Sequence, residues 1–120
     1  MNAQEMRTRT KQFALRILKL AESLPRTVSG RTLANQIARS GTSVAANYRA
    51  AGKARSKAEF IAKLGISEEE ADETQFWLEM IAESGLIPVK KLEPLQQEAR
   101  ELTAIVAASR ISARGKQIGN

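Results

Sequence analysis

The acidic run Glu68, Glu69, Glu70, Asp72 and Glu73 is the first candidate for chemistry in this 120-residue sequence. Carboxylates on helices can hold metals. Di-iron bundles use a Glu from each of two helices and a Glu-x-x-His motif from each of the other two. Here the acids crowd one segment and the chain contains no His. No metal and no cofactor is expected, and the run reads as a solvated acidic face with one or two ion pairs. The missing His also removes the commonest general base and the near-neutral pH switch. Ser40, Thr42 and Ser43 have neither His nor an evident activating Lys beside them, so no nucleophile is assigned. Small polar residues in a helix seam are usually there for size. No catalytic residue emerges, and the chain is not expected to be an enzyme. Absence of Cys removes disulfides and thiolate ligands and suits a cytoplasmic protein.

The cations carry more information. Lys and Arg number 19 against 13 acids, a formal net charge of +6. They are segregated. Arg7 to Lys63 holds thirteen basic residues and two acids, while Leu64 to Glu101 holds three basic residues and ten acids. Such asymmetry bears on partners, not on fold.

The elements that must position these charges are helices. Phe13, Ile17, Leu20 and Leu24 recur at steps of four, three and four, and Pro25 stops the pattern. Leu33, Ile37, Val44 and Ala51 continue it on a second helix. Its small stripe of Ala34, Ala38, Gly41 and Ala45 invites close approach of a partner backbone. Ser56-Lys57-Ala58-Glu59 reads as a capping box opening a third helix. Its seam is Phe60, Leu64, Ser67, Ala71, Thr74, Leu78 and Ile81, and Gly85 fits the left-handed position past its end. A fourth helix carries Leu92, Leu95, Ala99, Leu102 and Val106, with Pro94 placed in its first turn. The expected helices are about 8–24, 30–53, 56–84 and 90–112, with a frayed tail, in one domain spanning 1–120. The fold class is all-α, an antiparallel up-down-up-down four-helix bundle. Charges recur throughout, so no membrane span and no signal peptide is expected.

That topology gathers three sets of cations at one end. They are Arg7, Arg9 and Lys11; Arg49, Lys53, Arg55 and Lys57; and Arg110, Arg114 and Lys116. Helix C-termini favour cations, but helix starts do not, so capping leaves the first set and Lys57 unexplained. Phosphate is the obvious anionic partner. A basic end that merely aids solubility is the bland alternative. Only Tyr48 interleaves the basic residues, so contacts would go to backbone phosphate and not to bases.

Two further groups follow from the hairpin. With the turn near Ala54, Arg39 falls opposite Glu70, Gln36 opposite Glu73, and Asn47 opposite Ala62. Gln36, Arg39, Asn47, Glu70 and Glu73 then form a candidate polar lock that fixes register, unless Arg39 turns to water. Phe76, Trp77 and Met80 lie beside the third seam as surplus apolar surface. They serve either a wide core or a subunit interface, with the interface favoured.

The chain resembles the four-helix-bundle family of 23S rRNA intervening-sequence proteins, whose bundle is shared by the accessory proteins of diversity-generating retroelements. The resemblance rests on Gln36, Arg39, Ser40, Ser43, Val44 and Asn47, on Arg55, Ser56, Lys57, Glu59, Phe60 and Leu64, and on Glu70, Glu73, Trp77 and Leu78. It implies a cytoplasmic bacterial protein, a homopentameric ring and a basic surface for RNA or DNA. Two departures stand out. Many relatives have Arg-Arg where this chain has Ala38-Arg39, and Ala-Glu-Gly where it has Arg49-Ala50-Ala51-Gly52. The second change removes an acid and adds a base. Two function classes result: a nucleic-acid-binding oligomeric bundle, RNA favoured, or a structural bundle that binds other proteins.

Overall fold

Three N-caps and one C-cap set where helices begin and end. In the computed structural model, residues 1–118 are described, with side chains through Gly115. The helices are α1 (Ala3–Ser23), α2 (Val28–Gly52), α3 (Lys57–Ser84) and α4 (Val89–Ile118). No strand occurs among the described residues. The Asn2 side chain accepts the Glu5 amide at 2.8 Å, and its own amide donates to the Glu5 carboxylate at 2.8 Å. That reciprocal cap starts α1 five residues earlier than its apolar periodicity suggests. Thr27 caps α2 through the Gly30 amide at 3.1 Å. Ser56 caps α3 through the Glu59 amide at 3.0 Å, while the Glu59 carboxylate leans toward Arg55. Gly85 closes α3 at φ +75, in the left-handed region that a Cβ disfavours.

α4 extends past the expected bound near 112. α4 runs on to Ile118, and buried Ala113 docks its last turns on the bundle. Because α4 starts at Val89, Pro94 sits more than a turn inside it, where it removes one intrahelical bond at an exposed position.

The core runs the length of a rod measuring 52 × 22 × 21 Å. Phe13 and Ile17 from α1 meet Ile37 and Val44 from α2, Leu64, Ala71, Leu78 and Ile81 from α3, and Leu92, Ala99, Leu102 and Val106 from α4. Each large side chain contributes about 1.5–3 kcal/mol by leaving water. Neighbouring helices pair with residue numbers rising on one as they fall on the other. Gly41 meets Ile17 and Gly52 meets Arg7. Val44 meets Ser67 and Ser40 meets Thr74. Arg110 meets Glu68 and Thr103 meets Gln75. Of the neighbouring pairs, α1 and α4 touch least.

The surplus apolar residues divide. Trp77 packs against the core. Phe76 and Met80 remain 49% and 40% exposed. No helix among the described residues is long and apolar enough to cross a membrane.

Candidate nucleic-acid interface

Gln4, Arg7, Thr8 and Lys11 form one stripe on α1, because their spacings of three, four and seven return to the same helix face. Across from them lie Ala45, Ala46 and Arg49 on α2, and together these seven residues line an open groove of about 510 Å³. The alanines leave its floor empty. Arg7 and Lys11 stand about 6 Å apart along the helix axis, and Arg49 adds a third cation from the opposite wall. The Arg7 Nη2 donates to the Gln4 side-chain oxygen at 2.6 Å. Its Nη1 would lie 3.6 Å from a Cβ on Gly52, so the guanidinium rests over the carbonyl end of α2, where a cation is favoured. Half-buried Tyr48 lies near this arginine. Burial raises its phenol pKa, and the Arg7 charge opposes that rise. Sequence reasoning passes over Gln4 and Thr8, although their spacing to Arg7 and Lys11 marks them.

The turn after α2 adds cations at the same end. Lys53 is the C-cap of α2, Arg55 is almost wholly exposed and only 3.9 Å from Glu59, and Lys57 opens α3. Among the described residues, Arg7, Lys11, Arg49, Lys53, Lys57 and Arg114 have no carboxylate within ion-pair distance.

Two of the ten cations expected at this end are engaged elsewhere. The Arg9 Nε and Nη2 donate to both Glu98 oxygens at 2.8 and 2.7 Å, and Nη2 also reaches Glu101 at 2.7 Å. Its hydrogen bonds to Glu98 hold this guanidinium well above its ordinary pKa. The Arg110 Nε donates to Glu68 at 2.7 Å. Acids from the second half of the chain neutralise both, so the ten do not act as one free set. The side chain of Lys116 lies outside the described residues.

The remaining acids of the run are split as well. The Arg39 Nη1 donates to Glu70 at 2.7 Å and its Nη2 to Glu73. Glu73 also accepts the Trp77 indole N–H at 3.0 Å. Burial works to lower the Arg39 pKa, but Glu70 and Glu73 together raise it. Asn47 does not join them. Its amide donates within α2, to the Ser43 carbonyl and hydroxyl, both at 2.9 Å. Gln36 makes no side-chain hydrogen bond among the described residues. The deeper links between α2 and α3 are hydroxyls. Buried Ser67 donates to the Val44 carbonyl, and buried Thr74 pairs with Ser40. The signal was present: a hydroxyl at a seam position needs a partner. Among the described residues no three acids gather in a way that could hold a metal ion.

The 23S rRNA-intervening sequence protein family matches residues 3–108. The chain belongs to this family. Its match takes in both walls of the groove and the turn between α2 and α3. A similar solved structure is a protein of unknown function from the S23 ribosomal protein family of Bacteroides thetaiotaomicron. It is 33% identical, with a TM-score of 0.85, over 92% of this chain and 98% of that one. No curated protein matches the chain.

Proposed function

We propose that this chain is a non-enzymatic, homo-oligomeric bundle of the bacterial cytoplasm that binds nucleic acid, RNA above all, through its basic end. The antiparallel pairings support an up-down-up-down course, which brings the start of α1, the α2–α3 turn and the end of α4 to that end. The observation that carries the reading is the set of unpaired cations. Acids are spent on Arg9, Arg39 and Arg110. None is spent, among the described residues, on Arg7, Lys11, Arg49, Lys53 or Lys57. Lys57 opens α3, where the macrodipole disfavours a cation, and Lys11 lies beyond the first turn of α1, so helix ends account for neither. An anionic partner does. Five subunits in a ring is the assembly that the family resemblance implies.

Filter binding at low salt tests this. The protein should bind RNA at micromolar concentration, with affinity falling steeply as salt rises. Changing Arg7, Lys11, Arg49, Lys53, Arg55 and Lys57 to Gln should abolish most of it across unrelated sequences. Changing Lys90 and Lys91, at the start of α4, is the control. Absence of binding, or equal loss in both variants, sinks the reading. A second reading draws on Phe76 and Met80, exposed on the acidic helix: a structural bundle whose partners are proteins.

A further inference from the structure

We infer that the groove between α1 and α2 takes the sugar–phosphate backbone of a single strand and not of a duplex; the inference rests on the nucleic-acid reading above. The shape of the groove carries it. Arg7 and Lys11 line one wall and Arg49 the other, over a floor of Ala45 and Ala46. A strand lying along this floor meets cations from both sides. The one-turn interval between Arg7 and Lys11 is comparable to the spacing of successive phosphates on an extended strand. The Thr8 hydroxyl and the Gln4 amide line the same groove and can donate to phosphate or ribose oxygens.

A duplex fits badly. It is a rigid rod of about the bundle's own 21–22 Å width. Two such rods touch along their crests, and the phosphates of the duplex stay above the floor. Duplex contact falls instead on the exposed turn, with Lys53, Arg55 and Lys57. No aromatic ring lines the groove, so bases find no stacking platform and strand sequence is not read.

Three phosphate contacts on a single strand give a log–log salt slope of about −2, and single-strand binding then weakens roughly 15–20-fold between 50 and 200 mM salt. The test uses fluorescence anisotropy with oligo-uridine and with an RNA duplex of equal length. The groove variant combines Arg7→Gln, Lys11→Gln and Arg49→Gln. The turn variant combines Lys53→Gln, Arg55→Gln and Lys57→Gln. The groove variant should lose oligo-uridine binding and flatten its slope, keeping most duplex affinity; the turn variant should do the reverse. Ala46→Leu fills the floor without adding an aromatic ring and leaves every charge in place, so it should weaken oligo-uridine alone. Circular dichroism melts confirm that each variant folds.

If Ala46→Leu binds oligo-uridine like the parent, or if the groove variant weakens both ligands equally, the inference is overturned. Loss confined to the turn variant leaves the general reading standing and removes the groove. If the parent binds neither ligand, both fall together. If the groove variant changes the oligomer mass in light scattering while RNA affinity holds, the groove is a protein contact and the inference is wrong.

Discussion

The Ser67 hydroxyl donates to the Val44 carbonyl at 2.8 Å, joining α3 to the backbone of α2 inside the core. That carbonyl lies inside α2, so the serine takes a second lone pair and orphans nothing when removed. Thr74 differs. Its hydroxyl pairs with the Ser40 hydroxyl at 2.9 Å and also reaches the Glu70 carbonyl at 2.8 Å, while the other contact of that serine, to the Ile37 carbonyl, is long at 3.4 Å. Removing the threonine hydroxyl leaves Ser40 poorly satisfied. Ser67→Ala should therefore cost about 0.5–1.5 kcal/mol, and Thr74→Val about 1–3 kcal/mol. Adding Ser40→Ala to Thr74→Val should cost less than the two single changes summed, because they share a bond. Urea unfolding measures all four variants.

Leu64 and Leu102 are almost wholly buried in the shared core. Truncating either to Ala should cost about 2–5 kcal/mol, and the spread will follow how far each site can collapse. Losses under 1 kcal/mol for both would contradict the packing.

Glu101 gives a pH dependence of known sign. The Gln97 amide first, and then Arg9, lower its pKa from the ordinary 4.5. A depressed carboxylate adds stability above its unfolded pKa and loses it as pH falls through the folded value. Gln97→Ala or Arg9→Gln should bring the Glu101 titration back toward 4.5 in NMR spectra. Either change should also flatten the stability loss on the acid side of that value.

Phe76 and Met80 test assembly at less risk to folding than core positions, since each is only about half covered. Phe76→Glu with Met80→Glu should shift an oligomer toward monomer in light scattering, because charge is poorly tolerated in an apolar interface. Trp77 is the wrong probe. It packs on the core and donates to Glu73, so Trp77→Arg would disturb the fold itself. A stable monomer of the unmutated protein would end the assembly proposal.

The four helices were legible because apolar period and caps agreed. Thr27, Ser56 and Gly85 mark ends through chemistry that needs no tertiary partner. Asn2 carries the same kind of signal, yet apolar periodicity alone starts α1 too late. The α4 terminus was harder to read, because buried Ala113 looks like any surface alanine in sequence. The Arg39–Glu70 contact follows from counting outward from the turn, since adjacent helices in a hairpin share one register. Arg9 could not be read that way. Its partner lies on a helix distant in sequence, and long side chains reach along the rod as well as across it. The groove was illegible for a related reason. It exists where Ala45 and Ala46 fail to fill space, and an absence of side chain becomes a shape only once the neighbouring helix is in place.

Gly41 lets α1 approach α2 closely: a Cβ there would stand 2.7 Å from the Ile17 Cγ2. Ile17 is wholly buried and has little room to yield, so any side chain at position 41 must act as a wedge and spread the two helices. Those helices are also the walls that carry Arg7, Lys11 and Arg49. One missing methyl group, four residues from Ala45 and facing away from solvent, therefore sets the distance between cations on opposite walls. Drift at this glycine would retune the protein's grip on an anion without altering a charge or touching a ligand.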